Sequence, residues 1–200
     1  ACRDALRRKD WSHTSIGNPD GWPQALRNTF ALMLDSQFPM FVAWGPERTF
    51  LYNAAYVYLL EGKHPAALGE PAPKVWPELW SQVKPLMDAA FAGKATYGED
   101  VMRIIRRNGH AAPATFTLAY SPIRDDAGAI SGAFCVISET TARTRLEQRQ
   151  AFQLQLSDAL RTLTDPGEIM ATAAQLLGNH LGASRILSGD YDIEQQLVTY

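Results

Sequence analysis

The period of the apolar residues changes near residue 38. Upstream, Leu26, Phe30, Leu32 and Met33 recur at helical spacing behind Trp22-Pro23. Asp20 is the candidate cap of that helix, with Pro23 tolerated in its first turn. Residues 1–20 are polar and end in Gly17-Asn18-Pro19-Asp20-Gly21, a turn-rich lead-in. From 40 the texture is that of strands: 40–44, a turn at Gly45-Pro46-Glu47, then 49–53. A short helix over 54–61 stops at Gly62, and the two Gly and three Pro of 62–74 break any long element. Trp76-Pro77 opens a further helix with Leu79, Val83, Leu86, Met87, Ala90 and Phe91 on one side. Three strand-like runs follow at 97–106, 113–123 and 130–138. The first two are joined by Asn108-Gly109, the strongest short hairpin signal, and the last two by Asp125-Asp126-Ala127-Gly128.

Within the second of these runs Phe116, Leu118 and Tyr120 alternate with Thr115, Thr117 and Ala119, as in a half-buried strand. The order strand, strand, helices, strand, strand, strand predicts an antiparallel sheet with helices on one face, an α+β fold. After residue 141 the pattern is helical to about Thr164, with Phe152, Leu156, Ala159, Leu160 and Leu163 as its stripe and a polar first half. Asp165-Pro166-Gly167 interrupts it, 168–181 reads as a new helix, and Arg185-Ile186-Leu187 with Leu197-Val198 as the start of a hairpin.

Composition adds exclusions. Of 200 residues 46% are hydrophobic and 20% charged, and the net charge is -2, so the chain is neither disordered by composition nor drawn to nucleic acid. Arg103, Arg106 and Arg107 form a local basic cluster, read as the solvated face of a strand. Two cysteines, Cys2 and Cys135, cannot build a disulfide framework or a cysteine zinc site, and this usage fits a cytoplasmic protein. No apolar run approaches a membrane span. The N-terminal residues carry charge without an apolar run behind it, so no signal peptide is expected. A start without Met and an end inside a strand-like LVTY lead us to expect a fragment.

Residues 38–141 resemble a PAS sensory domain. The resemblance is carried by FPMFVAWGPERTFLYNAAYVYLLEGKHPAALG, VWPELW and YSPIRDDAGAISGAFCVISETTAR. Family members end in a strand pair about a Gly-containing hairpin and an acid-x-Thr signature that starts the signalling helix. Here that signature is Glu139-Thr140-Thr141, with Glu where Asp is commoner. The GWP lead-in and GKHPAALG resemble PAS domains of bacterial sensor histidine kinases, and the chain from about 151 is similar to the start of a GAF domain. The resemblance implies a five-stranded PAS sheet, and an N-terminal helical extension over 1–37, a PAS domain over 38–141, a signalling helix over 142–164 and an incomplete GAF-like segment over 165–200. It implies a sensory input module feeding an output domain in the same chain, the full-length protein being a histidine kinase, and a homodimer through the exit helix.

A helix-covered sheet leaves room for a small ligand between its layers. The candidate lining residues are Phe41, Tyr52, Tyr56, Leu60, Trp76, Trp80, Phe116, Leu118, Tyr120 and Phe134; the same residues also make an ordinary aromatic core, and a ligand stays open. Glu139, Thr140 and Thr141 are the expected transmission residues, with Asn53 holding the end of the second strand. No cofactor is required by the sequence. The stretch GKHPAALGEP lacks the cysteine of flavin-linking PAS variants, and Cys135 reads as a small buried hydrophobe. Haem would need an axial ligand, and His64 and His110 fall in a loop and a turn. Glu99-Asp100 and Asp125-Asp126 do not converge as an acid–base pair must, and no nucleophile elbow or zinc-protease motif occurs. The alternatives are a haem- or flavin-binding photo- or redox sensor, an enzyme using the cleft, and a ligand-free dimerisation domain.

Overall fold

In the computed structural model, which describes residues 2–107, 110–183, 185, 186, 190–192 and 197–199, the chain divides into compact units at 1–141 and 142–200. The first unit is built on five strands: β1 (Met40–Trp44), β2 (Thr49–Tyr52), β3 (Thr96–Arg107), β4 (His110–Arg124) and β5 (Ile130–Glu139). They form one antiparallel sheet in the order β2-β1-β5-β4-β3, so the last strand lies in the centre beside the first. The expected α+β sheet is present. The Asn108-Gly109 turn lies outside the described residues.

Register decides which side chains share a face. Phe41 stands opposite both Tyr52 and Cys135, Tyr120 opposite Cys135, and Leu118 opposite Ile137. Directly opposed residues point the same way, so this set defines one inner face. A 3-10 helix (Ala54–Leu60), α3 (Ala72–Val75) and α4 (Trp80–Phe91) cover it. Edge strand β2 does not present a free edge: Gly69 and Ala72 donate to the carbonyls of Phe50 and Arg48, and Phe50 donates to that of Glu70. Arg48, at positive φ in the β1–β2 turn, ion-pairs with Asp88 of α4 and lies between the rings of Trp80 and Phe91, 5.3 and 5.5 Å away.

The N-terminal extension departs from expectation in three places. Residues 2–8 form a helix, α1 (Cys2–Arg8), and Cys2 and Trp11 are buried in the core. Asp20 sits in a 3-10 turn (Pro19–Gly21), and α2 (Gln24–Asp35) starts after Pro23 without a side-chain cap. Along α2, Leu26, Phe30 and Met33 are buried while Leu32 is 70% exposed, because only the former three follow the i, i+4, i+7 spacing of one face. The α2 helix packs against β1 and β2, where Val42 and Leu51, alternating away from the inner face, are also fully buried.

The second unit holds most of α5 (Thr141–Leu160), then α6 (Pro166–Leu181), β6 (Asp190–Asp192) and β7 (Leu197–Thr199). Asp165 caps α6 by accepting from the Glu168 amide. The expected stripe of α5 is half-buried at Phe152, Leu156, Ala159 and Leu160, and Phe152 stacks on His180 of α6 at 4.0 Å. Arg185 and Ile186 lie in no strand, Leu187 falls outside the described residues, and β6 pairs with β7.

Candidate functional site

Between the inner face and its covering helices lies an apolar cavity of about 80 Å³. Seven of the ten candidate residues border it: Phe41, Tyr56, Trp76, Trp80, Phe116, Leu118 and Tyr120. Three do not. Phe134 is paired with Val42 and Ser121, between inward-facing Ala133 and Cys135, so the pleat turns it to the opposite face. Tyr52 is buried, but its hydroxyl is held by His64 Nδ1 at 2.9 Å. Leu60 is buried elsewhere in the core; in a helix of three residues per turn it is Tyr56 and Leu59, three apart, that share the cavity face.

Sequence reasoning missed Arg103. Alternation made it part of a solvated face, yet it borders the cavity with Ile105, and it is Met102 and Ile104 that are exposed, at 64% and 59%. The cause is a β-bulge in β3 between Gly98 and Val101, with Asp100 at positive φ, which resets which side chains point inward. A bulge leaves no periodic signal in the sequence.

The lining is electrostatically uneven. Burial pushes the hydroxyls of Tyr56 and Tyr120 and the thiol of Cys135 well above their ordinary pKa values, so all three stay neutral. Tyr120 and Cys135 stand directly opposite each other in the sheet. Arg103 is the charged residue of the lining. Leu59, Trp76, Leu79 and Ile105 border both the cavity and an outer groove, where Lys63 stands 4.4 Å from the Trp76 ring and pairs with Glu78 at 2.6 Å. Trp76 is thus a wall between interior and surface.

Two polar centres tie this unit together. Asn53 is fully buried; its Nδ2 donates toward the carbonyls of Met33, Ser36 and Phe38, and its Oδ1 accepts from the amides of Met40 and Tyr56. One side chain thereby joins the end of α2, the start of β1 and the 3-10 helix after β2. At the other centre the chain leaves β5 for α5. The Thr140 amide donates to the Thr115 carbonyl at 2.8 Å, and the Thr115 amide donates to Thr141 Oγ1 at 3.0 Å. Thr140 Oγ1 donates to Asp100 at the β3 bulge, 2.5 Å away, and Thr141 Oγ1 to Glu139 at 2.8 Å. Thr115 precedes Phe116, whose ring borders the cavity. Cavity wall and helix start are one residue apart along β4.

His110 is exposed and His64 half-buried, and no group of three potential metal ligands occurs among the described residues. No helix among them is long and apolar enough to cross a membrane.

An α+β unit with this strand order and a helix-roofed cavity sets the class. Residues 34–145, more than half of the chain, match the family described as PAS fold, and the chain belongs to that family. No curated protein matches the sequence. Similar solved structures include the phage VqmA-DPO complex (13% identity over 80% of this chain and 82% of that one, TM-score 0.49). The PAS domain of Bordetella pertussis BvgS gives 18%, 65%, 96% and 0.43, and a sensory box sensor histidine kinase from Vibrio cholerae 15%, 57%, 90% and 0.41. The family assignment rests on the sequence match.

Proposed function

We propose that this chain is the sensory input module of a bacterial signal-transduction protein of the sensor histidine kinase type. A small ligand or a partner favours one arrangement of the sheet, and α5 carries the difference to an output domain as a rotation or register shift. The supporting observation is the pair of threonine side chains that fasten the first turn of α5 to β3 and β4 directly behind Phe116. In this reading residues 38–141 are the PAS domain, 142–164 the signalling helix and 165–200 the start of a GAF-like domain, in a cytoplasmic homodimer. Since Phe152 stacks on His180 of its own chain, a dimer through α5 has to use the exposed Leu146 and Leu154.

The test is hydrogen exchange in the double variant Thr140→Val, Thr141→Val. Faster exchange over residues 141–146, with the amides of β1 and β2 unchanged, supports the reading. Unchanged exchange at 141–146 shows that the threonines hold nothing and removes its basis.

A further inference from the structure

Arg103 is out of place in an apolar lining. Its Nη1 donates to the Met102 carbonyl at 2.9 Å, and among the described residues no carboxylate lies within ion-pair distance of it. Arg48, by comparison, has Asp88, and Lys63 has Glu78. A guanidinium carries five donors; Arg103 borders the cavity, and its bond to the Met102 carbonyl lies exposed, so the fork stands at the open rim with donors to spare. Tyr56 and Tyr120 border the same space. An arginine held half-buried without a carboxylate is matched by an anion with an apolar tail: two oxygens meet the guanidinium fork and the tail enters the cavity.

Volume limits the tail. A cavity of about 150 Å³ lined by aliphatic and aromatic groups takes up benzene. The 80 Å³ here therefore admits roughly three or four non-hydrogen atoms. A flavin or a haem does not enter without displacement of Trp76 or Trp80.

We infer that the cavity is a receptor site for short-chain monocarboxylates, with Arg103 binding the carboxylate at the rim and Phe116, Leu118 and Trp76 enclosing the alkyl tail. This rests on the proposed sensory reading and names its ligand class. The preference is for charge as well as shape, because only a carboxylate makes charge-assisted bonds to the guanidinium fork.

The probes are butyrate and the neutral butyramide, titrated into the protein at constant ionic strength while the tryptophan fluorescence of Trp76 and Trp80 and amide chemical shifts in β3 and β4 are followed. Saturable butyrate binding, at least roughly tenfold tighter than butyramide, is expected from a charge-assisted bond. Arg103→Met, which keeps the aliphatic stem, should abolish that preference. Arg103→Lys, with the charge but no fork, should keep part of it. Equal binding of the two probes, or butyrate binding undiminished in Arg103→Met, overturns the carboxylate assignment while the cavity remains a ligand site. Absence of saturable binding by either probe overturns the assignment too; the hydrogen-exchange test of α5 is unaffected by either result, so the two readings fail separately.

Discussion

Replacing Asn53 by Leu keeps the branched outline of the side chain, with bulkier methyl ends, and removes its hydrogen bonding. The wild-type amide is 0% exposed and serves five backbone groups. Two of these have a second partner: the Tyr56 amide also donates to the Asn53 carbonyl, and the Met33 carbonyl also accepts from Ser36. The Ser36 and Phe38 carbonyls and the Met40 amide lose the most. Stranding a buried polar group costs about 1–3 kcal/mol, so the variant should lose about 3–5 kcal/mol. For a unit of this size that is a Tm lower by roughly 8–16 °C. Urea unfolding followed by tryptophan fluorescence measures it, and Asn53→Asp, which sets a buried carboxylate oxygen against the three carbonyls, should lose at least as much. A loss below about 1 kcal/mol for Asn53→Leu would show that the end of α2 and the start of β1 are held by packing alone.

Alkaline pH should unfold the protein progressively. The folded-state pKa values of Cys2, Cys135, Tyr52, Tyr56 and Tyr120 are all raised, chiefly by burial, so the stability they contribute is present below their unfolded values of 9.0 and 10.0 and is lost as pH rises past them. Cys135 alone should account for about 1.4 kcal/mol between pH 8 and 10; urea midpoints flat to pH 10 in the wild type, or as steep in Cys135→Ala, would contradict this. Gly132→Ala should cost about 1–3 kcal/mol, since a Cβ there would stand 2.7 Å from the Trp44 ring and 3.0 Å from the Ala43 carbonyl oxygen; thermal melts within 1 °C of wild type would show that Trp44 yields freely.

Much of the sheet was legible because its strands carry their own punctuation. Gly45-Pro46 and Asn53 bracket β2, and the alternation of Phe116, Leu118 and Tyr120 orients β4 without ambiguity. What escaped reading depends on tertiary context. Seven residues are too few for a helix to persist alone, and α1 is held by Cys2, buried in the core, with Ala5 and Leu6 packed against it. The bulge at Gly98–Val101 turned Arg103 inward and Met102 outward, which alternation cannot register. Phe134 was recoverable: Cys135 and Ile137 share the parity of the inner face, so their neighbour had to point the other way. The transmission residues were named from a resemblance, and their bonds to Asp100 and Thr115 join residues 26 and 40 positions apart.

In the proposed signalling route a change at the cavity wall reaches the first turns of α5 through Thr140 and Thr141. Phe116→Leu enlarges the cavity one residue from that anchor, and exchange rates of the amides over 141–146 report the response. Those rates should change clearly in Phe116→Leu, and the change should disappear when Thr140→Val and Thr141→Val are already present. Identical rates in Phe116→Leu and wild type, with β4 visibly perturbed, would contradict that route.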